Sequence, residues 1–508
     1  MFSSMSVQDL LVVIVALVSI WVLFRRNCNN APLPPGPRGL PLIGNLLDMP
    51  SDKEWLTFAR WGKEYGDIAS VSVLGQRIVI VNSAQAAIDM LDKKSSIFSD
   101  RPALVMAGEL VGWKKVLGLT PYGARFRDYR RRAHQLFGNN TAMKQFLPLE
   151  ELETRRFLKR LLAKPEDLSA HIRKTTGSIS LRIIYGYEIQ EEEDLFVELA
   201  EKAMYQFSLS VTSGRFLVNL IPSLRYIPDW FPGAEFKRIA KSWASTRSDM
   251  VEKPYEYVKQ QMSTGEARIS FTSKQLDACT SAEEEVNIKW LTASLYSSGV
   301  DTTAASIYAF FKAMILFPEV QAKAQAEIDA VVGNDRLPGF DDREHLPYIN
   351  ALVLEVSRWH AVAPTGVPHL VTEDDVHSGY FIPKGSVVFA NIRNMLHDPA
   401  VYDKPSEFMP ERFIRTENKE PELDPYNVSF GFGRRICPGR VLADASIFIS
   451  CAMVLAVFNV SKYCEDGIIF EPDIETTSGA VSHPTSFKCT VTPRNEKAFG
   501  LINEERFA

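Results

Sequence analysis

The apolar residues of this chain fall into contrasting patterns along its length. From Leu10 to Phe24 they run almost unbroken, LLVVIVALVSIWVLF, with Ser19 as the only polar member. Counted from Met1, the greasy region reaches the roughly 20 residues that a bilayer span needs. A cleaved signal peptide would start with basic residues and offer a small-residue cleavage site. Here no Lys or Arg precedes the run, and Arg25 and Arg26 follow it. The pattern predicts an uncleaved single-pass anchor over residues 1–26, with its C-terminal side cytosolic. Residues 27–39 include Ala31-Pro-Leu-Pro-Pro-Gly-Pro-Arg38. Repeated proline fixes φ and removes donors, so this segment is expected to be a stiff spacer.

From residue 40 onward the pattern changes again. Ile68–Val81, IASVSVLGQRIVIV, reads as two strands around a turn at Gly75 and Gln76. Helical periodicity then dominates: Ala84–Lys93, Tyr122–Leu136, Glu150–Leu162, Glu191–Ser208 and Phe236–Met262. A long helix is expected from Val286 to Leu316, followed by Glu319–Val332, Pro347–His360 and Arg440–Phe458. Short strands fit Tyr380–Ile382, Val387–Ile392 and Phe487–Val491. The expected fold is mainly α with small β-sheets, one large unit over residues 40–508.

Composition narrows the function classes. Hydrophobic residues make up 46% of the 508 positions, ample for a large core. Net charge is −5, so no basic surplus exists for a nucleic-acid partner. Six cysteines are too few for a disulfide scaffold, and no CxxC pair supports a cysteine-paired zinc site.

One cysteine stands in unusual company. Phe430-Gly-Phe-Gly-Arg-Arg-Ile-Cys-Pro-Gly439 surrounds Cys437 with three glycines and two arginines, just before a helical run. Glycines allow close approach of backbone to a ligand. A helix beginning after the cysteine directs its positive end toward the sulfur and favours thiolate, a suitable axial metal ligand. The arginines suit the carboxylates of a bound cofactor. This stretch resembles the haem-binding signature of the cytochrome P-450 superfamily, Phe-x-x-Gly-x-Arg-x-Cys-x-Gly. Phe430, Gly433, Arg435, Cys437 and Gly439 occupy its five specified places.

The resemblance extends over nearly the whole chain. It implies a cytochrome P-450 fold, with residues 40–508 as a haem-thiolate catalytic domain behind the anchor. It further implies haem b as cofactor, with Cys437 as the iron ligand and Phe430, Gly433, Arg435 and Gly439 shaping its seat. Glu355-Val-Ser-Arg358, 79 residues before Cys437, is similar to the family's Glu-x-x-Arg pair. With Arg412 it would form a buried structural triad. The spacing alone is weak, since Glu153-Thr-Arg-Arg156 shares it. Ser298-Gly-Val-Asp-Thr-Thr303 resembles the family's oxygen-binding kink, which gives Asp301 and Thr302 a role in proton delivery. Ser298 departs from the usual Ala or Gly. Phe126 and Arg130 resemble a Trp-x-x-x-Arg helix, with Arg130 on a haem propionate and Phe126 in place of the tryptophan. His369 matches another propionate contact. Arg127, Arg131 and Arg132 are either a docking patch for an electron donor or a solvated charge face.

Ile221–Gly233 and Pro368–Asp375 look like fungal members similar to O-methylsterigmatocystin oxidoreductase. The resemblance therefore implies a membrane-bound monooxygenase of the endoplasmic reticulum, with its catalytic domain cytosolic. It would draw electrons from an NADPH-cytochrome reductase, because the chain has no nucleotide-binding or flavin domain of its own. It would use dioxygen on an apolar small molecule, in terpenoid or polyketide secondary metabolism. The competing readings are a haem-thiolate isomerase or dehydratase, and a haem-binding carrier or sensor. Substrate-lining residues are expected within Ser99–Thr120, Tyr205–Phe231, Val362–Val367 and Ser478–Ser482.

Overall fold

The computed structural model describes residues 31–212 and 214–504, and the expected anchor lies outside them. The body is mainly helical with small sheets, as the periodicity predicts. Helix α1 (Glu54–Tyr65) leads into strands β1 (Ile68–Val73) and β2 (Gln76–Val81). There follow α2 (Ala124–Phe137), α3 (Leu147–Ala163), α4 (Leu168–Tyr185), α5 (Leu195–Val211) and α6 (Glu235–Thr264). Next come α7 (Ala282–Leu316), α8 (Pro318–Val331) and α9 (Pro347–Trp359). Short strands β3 (His369–Leu370), β4 (Asp375–His377), β5 (Tyr380–Ile382) and β6 (Val387–Ala390) precede α10 (Arg440–Val457). Strands β7 (Phe458–Glu465), β8 (Ile468–Phe470) and β9 (Cys489–Pro493) lie beyond it.

Helix α7 is the axis of the molecule, packed against α4 and α10. Its start is fixed by Ser281, whose side chain accepts from the Glu284 N–H, with Glu283, Glu284 and Glu285 at the positive end of the dipole. Its end is fixed by Pro318, which cannot continue α7 but opens α8, and the chain turns there by 106°. Helix α10 is apolar nearly all round because it is buried nearly all round. Among the described residues it alone is straight, long and apolar enough to cross a membrane, but Ile447–Leu455 sit in the main core.

The four-stranded sheet has the order β1-β2-β6-β3. β2 runs parallel to β6, and β3 pairs antiparallel with β6, setting His369 opposite Val388. Three hairpins use two-residue turns, Leu74-Gly75, Ser378-Gly379 and Asp466-Gly467, with positive φ at both positions. Such turns match the strand twist, so the first turn falls one residue earlier than the sequence reading places it. The described part of the spacer is docked on the body. The Pro34 and Pro35 carbonyls accept from Ser70, and the Pro32 carbonyl accepts from the Phe381 N–H.

Candidate active site

Cys437 lies in the loop between a short turn, Gly433–Arg435, and α10. Its backbone N–H donates to the Phe430 carbonyl at 2.8 Å, closing the loop, while the Phe430 ring packs edge-on against Tyr426. Gly433 has φ +53°, and a Cβ there would come within 2.4 Å of the Leu91 carbonyl oxygen. Only glycine lets the loop rest on that segment. The cysteine borders a cavity of about 250 Å³, together with Phe430, Arg435, His369, Val362 and Thr302. Burial pushes the Cys437 thiol up, although the Gly439 N–H, Arg130 and Arg440 all pull it down. The expectation that the loop and helix end favour thiolate is therefore only partly met. The protein supplies the favourable groups, and a coordinated iron would supply the remaining stabilisation of the thiolate.

Four basic side chains crowd the same region. Arg435 donates from Nε to the Ser99 carbonyl and from Nη2 to the Thr120 carbonyl, at 2.7 and 2.9 Å. Its Nη1 is buried with no partner. Its guanidinium stacks 3.8 Å from the Phe126 ring centre, so the residue in the tryptophan place supports the arginine through its π-face. Arg130 donates to the Ile436 carbonyl, and His369 Nδ1 lies 2.6 Å from the Phe98 carbonyl. Arg101, which the sequence reading missed, donates to the carbonyls of Gly118, Val367 and Pro368. None of the four pairs with a carboxylate among the described residues. Burial depresses all of them and neighbouring guanidiniums add to it, while Asp100 opposes the shift at Arg101 and Arg435 and Cys437 opposes it at Arg130. Arg435 is lowered to about 10. Buried cations with an orphaned donor call for an anion. A cofactor with carboxylates and an iron facing the thiol fits this set of residues.

On α7, consecutive residues face different spaces. Thr302, Thr303 and Ser306 line the cavity that holds Cys437. Asp301 lines a separate polar cleft of about 720 Å³ between α4, α5, α7 and the segment before β9. There its Oδ1 lies 3.0 Å from His483 Nε2. The Thr302 hydroxyl donates to the Ser298 carbonyl at 2.7 Å, and the Ser298 hydroxyl donates to Ser294 at the same distance. The helix stays unbroken through this motif. Gly299 lets α4 come close, since a Cβ there would meet Ser180 Oγ at 2.9 Å.

The Glu355, Arg358 and Arg412 side chains are fully buried together. Arg358 grips Glu355 with two bonds, of 2.7 and 2.8 Å. Arg412 Nε and the Met409 N–H complete the carboxylate's partners. The second carboxylate is Glu422, 2.7 Å from Arg412 Nη1, so two buried arginines meet two acids. Glu153, which shares the Glu-x-x-Arg spacing, is also buried and faces Arg156, Arg160 and Arg182.

A family model described as Cytochrome P450 matches residues 34–491. This chain belongs to the cytochrome P450 family. It is 51% identical to cytochrome P450 monooxygenase 208 of Postia placenta over 492 residues, covering 97% of this chain and 96% of that protein. It is 47% identical to cytochrome P450 monooxygenase claR of Ampulloclitocybe clavipes, covering 96% and 92%. It is 42% identical to cytochrome P450 monooxygenase ppsD of Aspergillus oryzae, covering 95% and 92%. Membership makes the chain an oxidoreductase and implies a haem whose iron takes a cysteine thiolate. P450 monooxygenases use dioxygen and a redox partner.

The arginines of α2 divide in this P450. Arg132 is drawn inward by Asp128 and Glu284, at 2.9 and 2.6 Å, and leaves the expected patch. Arg131 is exposed and pairs with Asp128, while Arg127 and Arg434 flank the Tyr122 ring. Three residues of the site escaped the sequence reading: Arg101, Glu422 and His483. Asp100-Arg101, charged residues leading into an apolar stretch, was the one local signal. Glu422 and His483 meet their partners only through tertiary folding.

Proposed function

We propose that this P450 is a membrane-anchored haem-thiolate monooxygenase of secondary metabolism. It inserts one oxygen atom from dioxygen into an apolar small molecule of terpenoid or polyketide type. Cys437 would hold the iron of haem b, and Arg101, Arg130, Arg435 and His369 would hold its carboxylates. When bound, haem-thiolate supplies oxygen activation and C–H oxidation, chemistry that no side chain performs.

The protein's own part is to seat the cofactor and move protons. The Glu355–Arg358–Arg412 cluster ties α9 to the segment that carries Pro405–Glu422, on the cysteine side of the cavity. The only hydroxyl protons of Thr302 and Ser298 are spent on backbone carbonyls. Thr302 borders the cysteine cavity, so its lone pairs can accept from a water there, which would be the proton donor closest to the reaction. Asp301, on the far side of α7, collects protons from the polar cleft.

The observation that carries this reading is the division of Asp301 and Thr302 between a cleft lined by Arg173, Glu198, Glu201 and Lys202 and the cysteine cavity. A haem-thiolate isomerase, or a haem carrier, has no use for a proton route across α7. Exposed Arg434 and Arg440 lie at the cysteine loop, and exposed Arg127 shares the Tyr122 ring with Arg434, which supports docking of an acidic NADPH-cytochrome reductase. The apolar run before Arg25 supports anchoring in the endoplasmic reticulum with the body cytosolic.

The test is turnover of a terpenoid and polyketide panel by microsomes carrying the full chain and a reductase, under isotopically labelled dioxygen. The expected product carries one labelled oxygen and forms only with NADPH. Conversion without NADPH or dioxygen would establish the isomerase reading instead.

A further inference from the structure

The segment between β8 and β9 is laid along one stripe of α7. Asp301, Ala304, Tyr308 and Lys312 recur every three or four residues and so share a helix face. At one end Lys312, almost fully buried, donates to Asp473, the Glu475 carbonyl and Thr485, at 3.1, 3.3 and 3.0 Å. In the middle the Tyr308 ring stacks on Phe487 at 4.5 Å. At the other end His483 meets Asp301.

His483 is held in place independently of that contact. Its N–H donates to Thr477 Oγ1 and its carbonyl accepts from the Thr477 N–H. The next residue back, Ser482, bonds Val362 through its N–H and lies 2.9 Å from His360 Nε2 through its carbonyl. Both Val362 and His360 line the cysteine cavity. The backbone that carries the imidazole is thus fixed, and among the described residues His483 is the only side chain within ion-pair reach of Asp301. Its other ring nitrogen has no recorded partner, and the histidine borders the polar cleft. Charged neighbours come from every wall: Arg173 on α4, Glu198, Glu201 and Lys202 on α5, and Asp301 itself on α7. Burial holds Glu201 above the ordinary carboxylate range, with Arg173 opposing and Asp301 and Glu198 adding to the shift.

We propose that His483 is the positioning and relay residue for Asp301, admitting cleft protons to the reaction. In each transfer the neutral imidazole takes a proton at Nδ1 from protonated cleft water and gives its Nε2 proton to Asp301 Oδ1; exchange through cleft water then returns the remaining proton from Nδ1 to Nε2. Asp301 then passes its proton across α7 to a water at Thr302. No electron moves in this relay; electrons come from the reductase. The proposal rests on the monooxygenase reading above and adds to it the partner that orients the acid.

The test compares His483→Gln, His483→Phe and Asp301→Asn in the full-length haem-loaded chain with reductase and NADPH. The probe is 7-ethoxycoumarin. Haem content and reduced carbon-monoxide spectra check that each variant folds. Gln keeps an N–H near Asp301 but cannot relay a proton; Phe loses both functions. The expected result is slower NADPH consumption in both variants, by about tenfold since bypass through water limits the loss. The solvent isotope effect should be larger than in the unchanged protein, which a packing defect does not produce. Hydrogen peroxide per NADPH should rise most in Phe. His483→Phe combined with Asp301→Asn should be no worse than Asp301→Asn alone, because the two residues act in series. Unchanged isotope effects and NADPH rates in both folded variants would overturn the relay. So would full additivity in the double variant. If the unchanged protein consumes no NADPH with reductase, the monooxygenase reading itself fails, which is a distinguishable outcome.

Discussion

Glu150 is a carboxyl group buried in the core without a cation. It lies on α3 and is fully enclosed, and the Ser446 hydroxyl of α10 donates to both its oxygens, at 3.0 and 2.8 Å. Burial pushes its pKa from 4.5 to about 8, and the serine bond offsets only part of that. Below the unfolded value both states are protonated and the group costs nothing. Above it the unfolded chain releases a proton that the folded chain keeps, so stability falls as pH rises until the buried acid ionises near 8. At about 1.4 kcal/mol per pH unit, the loss reaches roughly 3 kcal/mol at neutral pH and roughly 5 kcal/mol above pH 8. Glu150→Gln removes the titration and keeps the shape. Its second amide hydrogen finds no partner and costs about 1–3 kcal/mol, so the net gain near pH 8 is about 2 kcal/mol. The assay is urea unfolding of the purified haem protein from about pH 5 to 9, followed by tryptophan fluorescence and haem absorbance. The variant's stability should fall less steeply than that of the unchanged protein, and the two curves should cross at low pH. Parallel curves across the range would refute the claim that this carboxyl is protonated in the core.

The other predictions concern the site and the topology. Glu355→Ala leaves two buried guanidiniums short of an anion and should cost about 3–5 kcal/mol, read as a lower urea midpoint and poor haem retention. Thr302→Ala should keep haem and substrate binding while product per NADPH falls and hydrogen peroxide per NADPH rises. Adding Ser298→Ala should worsen this, since the Ser298 hydroxyl sits one turn from Thr302 on α7 and could rescue a water site there. A double variant with unchanged coupling would remove α7 from the proton route. Asn139, Asn427 and Asn459 begin Asn-x-Ser/Thr sequons and are exposed, and a cytosolic orientation keeps them from the glycosylation machinery. They should stay unglycosylated, and glycosidase-sensitive mobility mapped to any of them would reverse the topology.

What could be read from the sequence was local. The cysteine loop, the Glu355–Arg358 pair and the α7 motif are short runs whose chemistry is carried by residues close in the chain. Helix starts were misjudged where capping, rather than apolar periodicity, decides. Asp194 caps α5, so the acidic run from Glu191 to Glu193 stays outside it, and Ser281 begins α7 before its first periodic apolar residue, Val286. Helix α4 was missed because its centre, Lys-Thr-Thr-Gly-Ser-Ile-Ser, is poor in helix formers. Packing against α7 overrides that preference, with Gly299 permitting the close approach. The hairpin of β7 and β8 was missed because the apolar run of α10 flows into it without a break. Arg101, Glu422 and His483 have partners 17 to 267, 10 and 182 positions away in the chain, and spacing alone carries no sign of the longer ones.

The central claim is that Cys437 makes this protein a haem-thiolate enzyme. The carbon-monoxide difference spectrum of the reduced protein, unchanged and as Cys437→Ser, tests it most directly. An alcohol is far harder to deprotonate than a thiol, so serine should abolish the red-shifted Soret band that thiolate ligation gives, even where haem is retained. A Cys437→Ser protein that keeps the full red-shifted band would contradict the assignment.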